Sequence, residues 1–515
     1  MHGTAVSDAG IRPGSRASGA LPWWSAAMGA LCLAVFAAQR TLEFNLHDEG
    51  FLWYGAQRVL AGELPLRDFQ AYDPGRYFWV AGWMALLGDD GFLAMRWANA
   101  ALAAITVALA VWTVGSGLKR PGAAVLMTTG ATFTLWMVPR YKPADAFAAV
   151  LLLFGLARLL RRPSPARYFV GGVCLGLAST IGINHALYGS VAALLAFARL
   201  RGAPDPRRAA AAAVAGGLVG YSPVLALHLF APGFSAAFLD GVRQLFENGG
   251  TNLALPWPDP LAVVRRGDIG LLRSATESVV ALLLLAIPLF WARAAWRWRA
   301  AGARAADPTA TAGLILSAPY AHYALSRPDV AHLAVSILPV LAAALIWTAS
   351  ATTARRRLAL AAIGAAGLLA TAREHPVYYL SKGLLTHAVP VDGSRMLVGP
   401  DDAREALAAR AVAASASPAP FFAGPYTPGA YALARRRAPV WEIYMIFPSP
   451  PARQRAEIAR LERAGVRHAL LSDERVDRRP DLGLDRTHPL LFAHLSRLGR
   501  AEPVPGAPGF TIRRP

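Results

Sequence analysis

Eleven near-continuous apolar stretches, at roughly residues 21–39, 94–115, 121–138, 144–160, 167–183, 186–199, 209–230, 274–292, 309–325, 330–348 and 356–372, set the limits on what this chain can fold into. Most approach the length of about 17 to 25 residues that a helix needs to cross a bilayer, where each backbone polar group must be satisfied within the segment. The stretch at 186–199 is the shortest and also reads as a half-buried helix. Soluble chains carry about 25% charged residues, whereas this one is 16% charged and 55% hydrophobic. It reads as a polytopic α-helical membrane protein of about eleven transmembrane helices. A net charge of +20 raises nucleic acid as a partner. Most of the excess Arg sits in short loops between apolar stretches, however, where it orients membrane helices, so no nucleic-acid partner is expected. Cys32 and Cys174 each fall inside an apolar stretch and read as helix-packing residues. The stretch 21–39, behind Arg12 and Arg16, is longer than the apolar core of a secretory signal and reads as an uncleaved anchor.

Loop charges predict the topology. With the N-terminus inside, alternate connections carry Lys119 and Arg120, then Arg158, Arg161, Arg162 and Arg167, then Arg199, Arg201, Arg207 and Arg208. The next two carry Arg293, Arg297, Arg299 and Arg304, and the run Arg355, Arg356 and Arg357. Cytoplasmic loops collect Lys and Arg, so these connections are assigned to the inside. A cytoplasmic tail at 1–20 then precedes a transmembrane domain at 21–372, with large outside loops at 40–93 and 231–277. Beyond it, 373–515 reads as a linker and a small extracytoplasmic α/β domain. There "PVWEIYMIF" and "VRHALLS" read as strands and "PARQRAEIARLERAG" as an amphipathic helix.

This topology places the chemically informative motifs on one side. "HDEG", "RDF" and "DPGRY" share the first outside loop; "RYKPAD", "INHALYG" and "SRPDVAHL" join later stretches at the same membrane face. Ionisable groups at helix ends inside a bundle are costly unless paired or wet, so their convergence marks a site. The candidates for substrate binding are Arg67, Asp68, Arg76, Arg140, Lys142, Asp145, Asn184, His185, Arg327, Asp329 and His332. Each has an ordinary alternative. Arg140 and Lys142 could snorkel from helix ends, His185 could pack, Arg327, Asp329 and His332 could pin a turn, and Arg67 with Asp68 could be a surface pair of little worth.

Asp48 and Glu49 are the candidate catalytic pair. Asp48 also suits the cap of a helix "EGFLWYGAQRVLAG", with Glu49 favouring its first turn. The apolar residues of that helix, Phe51, Leu52, Tyr54, Val59 and Leu60, are enough to lie along the membrane interface. A carboxylate held there suits general-base work on an acceptor attacking an electrophile delivered from lipid. Arg and Lys would stabilise the negative charge of a departing phosphate. No glycine loop of the phosphate-cradling kind is present.

The acidic pair after the first membrane stretch, followed by "AGELPLRDFQAYDPGRYFWVAGWMALLG" and a span entered through "AMRWANA", resembles the bacterial relatives of dolichyl-phosphate-mannose protein mannosyltransferases. It is similar also to the aminoarabinose transferases of lipid A, both being membrane glycosyltransferases of the C type (GT-C). The resemblance implies a multi-pass protein of the bacterial inner membrane and a polyprenyl-phosphate-linked sugar donor. The acceptor would be a lipid, a glycan or a protein. It places the catalytic carboxylate on Asp48, supported by Glu49, and gives Asp145 by position as a second acidic residue near the acceptor. It suggests Arg140, Lys142 or Arg327 for the donor phosphate. Where such enzymes have a double proline, "DPG" puts Asp73 in place of the first. No dedicated metal cage is visible and no cofactor is required, though a divalent ion bridging carboxylate and phosphate stays open. The rival reading is a transporter or flippase for an anionic lipid-linked substrate, but such sites usually lie near mid-bilayer in related repeats.

Overall fold

The computed structural model describes residues 19–199, 205–248, 252–266, 270–301 and 307–515. Most of the expected cytoplasmic tail, and Arg201 and Arg304 of the basic loops, lie outside them. Helix α1 (Leu21–Ala38) leads into the first loop, which holds α2 (Asp48–Leu60) and α3 (Gly75–Leu87). Then come α4 (Phe92–Gly117), α5 (Ala123–Leu135), α6 (Pro143–Arg161), α7 (Pro165–Ile181), α8 (Ile183–Arg199) and α9 (Pro206–Phe230). The second loop contains α10 (Phe234–Glu247) and one turn, α11 (Ala262–Arg265). Helices α12 (Leu271–Ala301), α13 (Pro308–Ser326), α14 (Val330–Ser336), α15 (Leu338–Ala349) and α16 (Thr353–Thr371) follow.

Among the described residues five helices, α1, α4, α6, α9 and α12, are long and apolar enough to cross a membrane, or six if the bent pair α14–α15 is one span. That pair turns by 54°, at Ile337, just ahead of Pro339, which has no N–H to continue the α-helical ladder. Leu194, Val214, Leu218 and Leu289 are more than half exposed on the bundle surface. Such outward apolar faces suit a lipid solvent. The protein is a multi-pass membrane protein; helices occupy all of the expected stretches, but length and apolarity support five to six spans.

The closest helix contact is between α7 and α9. A Cβ built on Gly216 would lie 2.0 Å from the carbonyl oxygen of Phe169, and one on Gly172 would lie 2.1 Å from that of Ala213. Small residues let membrane helices approach backbone to backbone, where dispersion replaces the missing hydrophobic drive.

The tail starts with α17 (Pro376–Ser381) and an antiparallel hairpin, β1 (His387–Val391) and β2 (Ser394–Val398). Thr41 and Glu43 bond the backbone of Leu397, so the chain leaving α1 extends this hairpin. Next come α18 (Pro400–Ser415), β3 (Phe421–Gly424), α19 (Gly429–Leu433), α20 (Pro451–Arg463), β4 (His468–Ser472), β5 (Arg500–Pro503) and β6 (Phe510–Arg514). The sheet order is β3-β4-β6-β5, with β3 parallel to β4 and the other pairs antiparallel. The expected helix and the expected strand at "VRHALLS" are present. "PVWEIYMIF" is not a strand. Its backbone is taken up by side chains and loops instead, Trp441 N–H donating to Glu457 and Tyr444 N–H to Gln70.

First loop and tail share one hydrophobic core. Phe51, Leu52, Trp53 and Tyr54 of α2 pack with Tyr77 and Met84 of α3 and with Tyr431, Ile443 and Tyr444 of the tail. Helix α2 therefore buries Phe51, Leu52 and Tyr54 in protein, not along the membrane interface as its amphipathic pattern suggests; in its last turn Val59 is half-buried against the same core and Leu60 is exposed. Replacing Gly216 by Val should force α7 and α9 apart at a cost of about 1–3 kcal/mol. Gly82→Ala, on an open face of α3, should be neutral or stabilise by up to about 1 kcal/mol. Thermal unfolding in detergent compares the two.

Candidate active site

Three consecutive residues at the start of α2 point to three different partners. The side-chain oxygen of Asn45 accepts from the backbone N–H groups of His47, at 2.8 Å, and Asp48, at 2.9 Å. Asn45 thus closes the helix N-terminus, and the Asp48 carboxylate is free of the capping duty its position suggested. Gly50 lets α2 meet the start of α19, since a Cβ there would lie 2.6 Å from Gly429 Cα.

Glu49 turns inward to Arg96 of α4. The guanidinium donates through Nε at 3.0 Å and Nη2 at 2.7 Å, a bidentate pair with both side chains about 5% exposed or less. Arg96 also donates to the carbonyls of Arg40, Leu42 and Glu43, at 2.6, 2.9 and 2.9 Å. Burial alone would push the Glu49 carboxyl up, but Arg96 and Arg140 outweigh it and hold it below its ordinary value. Arg140 joins the same anchor, donating to the Gln39 and Leu42 carbonyls at 3.0 and 2.9 Å.

His47 turns to the tail. Its ring stacks on Tyr426 at 4.2 Å and its Nδ1 contacts the Tyr426 carbonyl. Its Nε2 lies 3.5 Å from both Glu405 and Glu474. Burial would lower the imidazolium, but these carboxylates raise it above its ordinary value. Burial pushes Glu405 up to about 7, with His47 opposing. Burial and Glu405 raise Asp402 to about 7 as well.

Asp48 faces a cavity of about 330 Å³ between the bundle ends and the tail. Its Oδ1 accepts the hydroxyl of Tyr444. Arg76, Lys142, Asp145, Asn184, Arg327 and His332 line the same cavity, all at helix ends or the turns beside them. Arg76 donates to both oxygens of Asp145, at 3.2 and 3.3 Å, and to the Ile181 carbonyl at 2.9 Å. His185, fully buried behind them, sits with Nε2 3.0 Å from Asp145 and Nδ1 2.7 Å from the Tyr320 hydroxyl. Arg327 pairs with Asp329 at 2.8 Å and with Asp477 of the tail at 2.6 Å. Asp329 caps α14 and accepts from His332.

Lys142 differs. Among the described residues it makes no ion pair; its Nζ has His332 Nε2 at 3.4 Å and the rings of Tyr141 and Tyr323 at 5.8 and 5.6 Å. Burial, opposed by nearby carboxylates led by Asp145, pulls the ammonium below its ordinary value. Lys142 is thus a half-buried ammonium facing the cavity without a salt-bridge partner among the described residues.

Arg67 and Asp68 stand off the cavity as a local pair at 2.7 Å, with Asp68 also bonded to Leu64 N–H. Asp73, the departure in "DPG", accepts from Ile183 N–H at 3.1 Å and so ties the start of α3 to α8. The sequence reading missed the aromatic wall of Tyr72, Tyr141, Tyr323, Tyr426, Trp441 and Tyr444, and the face of α10 that closes one side. Tyr72 and Tyr141 sit beside motifs already chosen; the tail residues carried no comparable signal. No three metal-ligating side chains converge among the described residues.

No protein family matches the sequence, and no curated protein is significantly similar to it. Among solved structures, ArnT from Cupriavidus metallidurans bound to undecaprenyl phosphate superposes with a TM-score of 0.56 at 13% identity, covering 95% of this chain and 97% of that one. This chain shares the fold of that structure over nearly the whole of both chains. An oligosaccharyltransferase from Archaeoglobus fulgidus tethered to an acceptor peptide gives a TM-score of 0.46 at 11% identity, covering 87% of this chain and 69% of that one.

Glu49→Ala should cost about 3–5 kcal/mol because it leaves the Arg96 charge buried without a counter-ion, whereas Arg67→Ala should cost under about 1 kcal/mol; denaturation in detergent measures both. His47, Glu405 and Asp402 all hold protons more tightly folded than unfolded. The stability they contribute is full below their ordinary values and is lost as pH rises through about 7 for the two carboxyls. Hydrogen exchange of residues 387–515 should accordingly show weaker protection at pH 8 than at pH 5, after correction for the intrinsic rate, and Glu405→Gln should flatten that difference.

Proposed function

We propose that the chain is an integral-membrane glycosyltransferase. It moves a sugar from a polyprenyl-phosphate donor to a lipid, glycan or protein acceptor at the outer face of a bacterial-type inner membrane. The N-terminus is cytoplasmic and the tail extracytoplasmic, with the eleven helical stretches making the passage. The observation that carries this reading is the pairing of opposites in one cavity: Asp48 makes no ion pair with Lys or Arg, and Lys142 makes none with a carboxylate, among the described residues.

Asp48 takes the proton from an acceptor hydroxyl as that oxygen bonds to the anomeric carbon. The bond from this carbon to the phosphate oxygen breaks, and its electron pair leaves with the polyprenyl phosphate. Negative charge grows on the phosphate, and Lys142 meets it from a half-buried position, where the attraction is stronger than in bulk water. Arg76 and Arg327 are already neutralised by Asp145, Asp329 and Asp477, so they shape the positive wall and Lys142 supplies the uncommitted charge. Arg140 belongs to the anchor of α2. That the solved ArnT structure holds undecaprenyl phosphate supports the donor class. A cavity built from helix ends also favours a surface reaction over the mid-bilayer site of a transporter.

In membranes supplied with undecaprenyl-phosphate-linked hexoses and pentoses and cell-envelope acceptors, Asp48→Asn should lower sugar transfer by at least about 100-fold. Lys142→Met should raise the KM for donor and lower kcat, with Lys142→Arg recovering part of the loss. Undiminished transfer by folded Asp48→Asn protein would overturn the assignment.

A further inference from the structure

The tail lacks a role in the chemistry above, yet it delivers a hydroxyl to the carboxylate on which that chemistry depends. We infer that Tyr444 is a positioning residue of the active site: its O–H fixes the orientation of the Asp48 carboxylate, making the C-terminal domain part of the catalytic centre. This rests on Asp48 being the base.

Tyr444 is held independently of Asp48. Its ring stacks on Phe51, one turn along α2, at 4.8 Å, and lies 4.7 Å from the ring of Tyr426. Its backbone N–H donates to Gln70 Oε1 at 2.8 Å, while the next residue, Met445, donates to the Pro425 carbonyl at 2.9 Å. Trp441, three residues earlier, donates through its indole to the Leu66 carbonyl at 2.9 Å. The segment that fails to form a strand is thus clamped by the first loop and by the tail, and the phenol emerges from it with 6% of the residue exposed. Its hydroxyl takes Asp48 Oδ1 and lies 3.1 Å from the Tyr426 hydroxyl. Burial, with the Asp48 charge adding to it, pushes the Tyr444 phenol well above its ordinary value, which keeps it a donor.

A short helix-borne carboxylate turns freely about its terminal bond unless something holds it. Tyr444 holds one oxygen from the tail side, while Tyr141 of the bundle also hydrogen-bonds the carboxylate, and together they fix the edge that meets the acceptor proton, a condition for efficient proton transfer. The other titratable groups facing Asp48 are His47, Tyr72, Tyr141, Lys142 and Tyr426; of these only Tyr426 touches the Tyr444 hydroxyl, and it loses that hydrogen bond when the hydroxyl is removed.

Tyr444→Phe keeps the ring and its stacking and removes only the hydroxyl. On the donors used above, kcat should fall about tenfold or more with the donor KM within about twofold. Wild-type kcat in Tyr444→Phe, with Asp48→Asn inactive, would overturn the positioning role alone. Full activity in Asp48→Asn would overturn the base assignment and this proposal with it. A measurement free of any substrate keeps the two apart. Infrared difference spectra against Asp48→Asn isolate the Asp48 carboxylate stretch, which should shift in Tyr444→Phe protein; an unshifted band would overturn the proposal whatever the activity.

Discussion

The buried pair between Glu49 and Arg96 is the constraint on which the site depends. Arg96 spends its donors on Glu49 and on three carbonyls of the segment leaving α1. One guanidinium therefore fastens α4, the exit from α1 and the first turn of α2. Because α2 advances about 100° per residue, fixing Glu49 fixes where its neighbours point. Asp48 faces the cavity because Glu49 cannot move, and His47 reaches the tail for the same reason. A buried ion pair is weak evidence for stability in itself, and its use here is to define one geometry.

Charge balance around the cavity explains which cation is available. Arg76 and Arg327 are each engaged by carboxylates from other parts of the chain. Such pairing keeps the helix ends together when the site is empty. Lys142 has an imidazole and two tyrosine rings as its nearest partners, and the carboxylates of Asp145, Asp329 and Asp48 act on it only from beyond ion-pair distance. A cavity whose cations were all uncompensated would repel itself open, and one whose cations were all paired would have nothing to offer the phosphate of the proposed donor. The arrangement lies between those limits.

Much of this was legible in sequence. Apolar runs located the helices, since a bilayer demands long unbroken stretches, and loop charges sorted the polar motifs onto one face. That sorting selected Asp48, Arg76, Lys142, Asp145, Asn184, Arg327 and His332, all of which line one cavity. It could not separate Glu49 and Arg140 from them, because proximity in sequence does not say which way a helix turns. Arg67 and Asp68 were included for their charge, although they bond to each other and to local backbone. "PVWEIYMIF" misled for a different reason: β-branched and aromatic residues in alternation describe an extended, half-buried chain, and here that chain is satisfied by Gln70, Glu457 and Pro425 instead of by a neighbouring strand. The aromatic wall was invisible since long-range packing has no periodicity to read.

The same packing explains why the first loop is so apolar. A loop that only covered a membrane site would be expected to be polar on its outer face, yet α2 is buried from Glu49 through Gln57. Its partners are α3 on one side and the tail on the other, so the loop is the middle layer of a stack running from the bundle to the sheet. A middle layer cannot shift without disturbing both neighbours, and interiors packed this densely transmit displacement instead of absorbing it. The carboxylate at its edge thereby inherits the rigidity of both, held from the bundle through Glu49 and from the tail through Tyr444. On the proposed role of Asp48 as a base, holding it from two sides gives it the fixed direction that proton transfer to a short carboxylate requires.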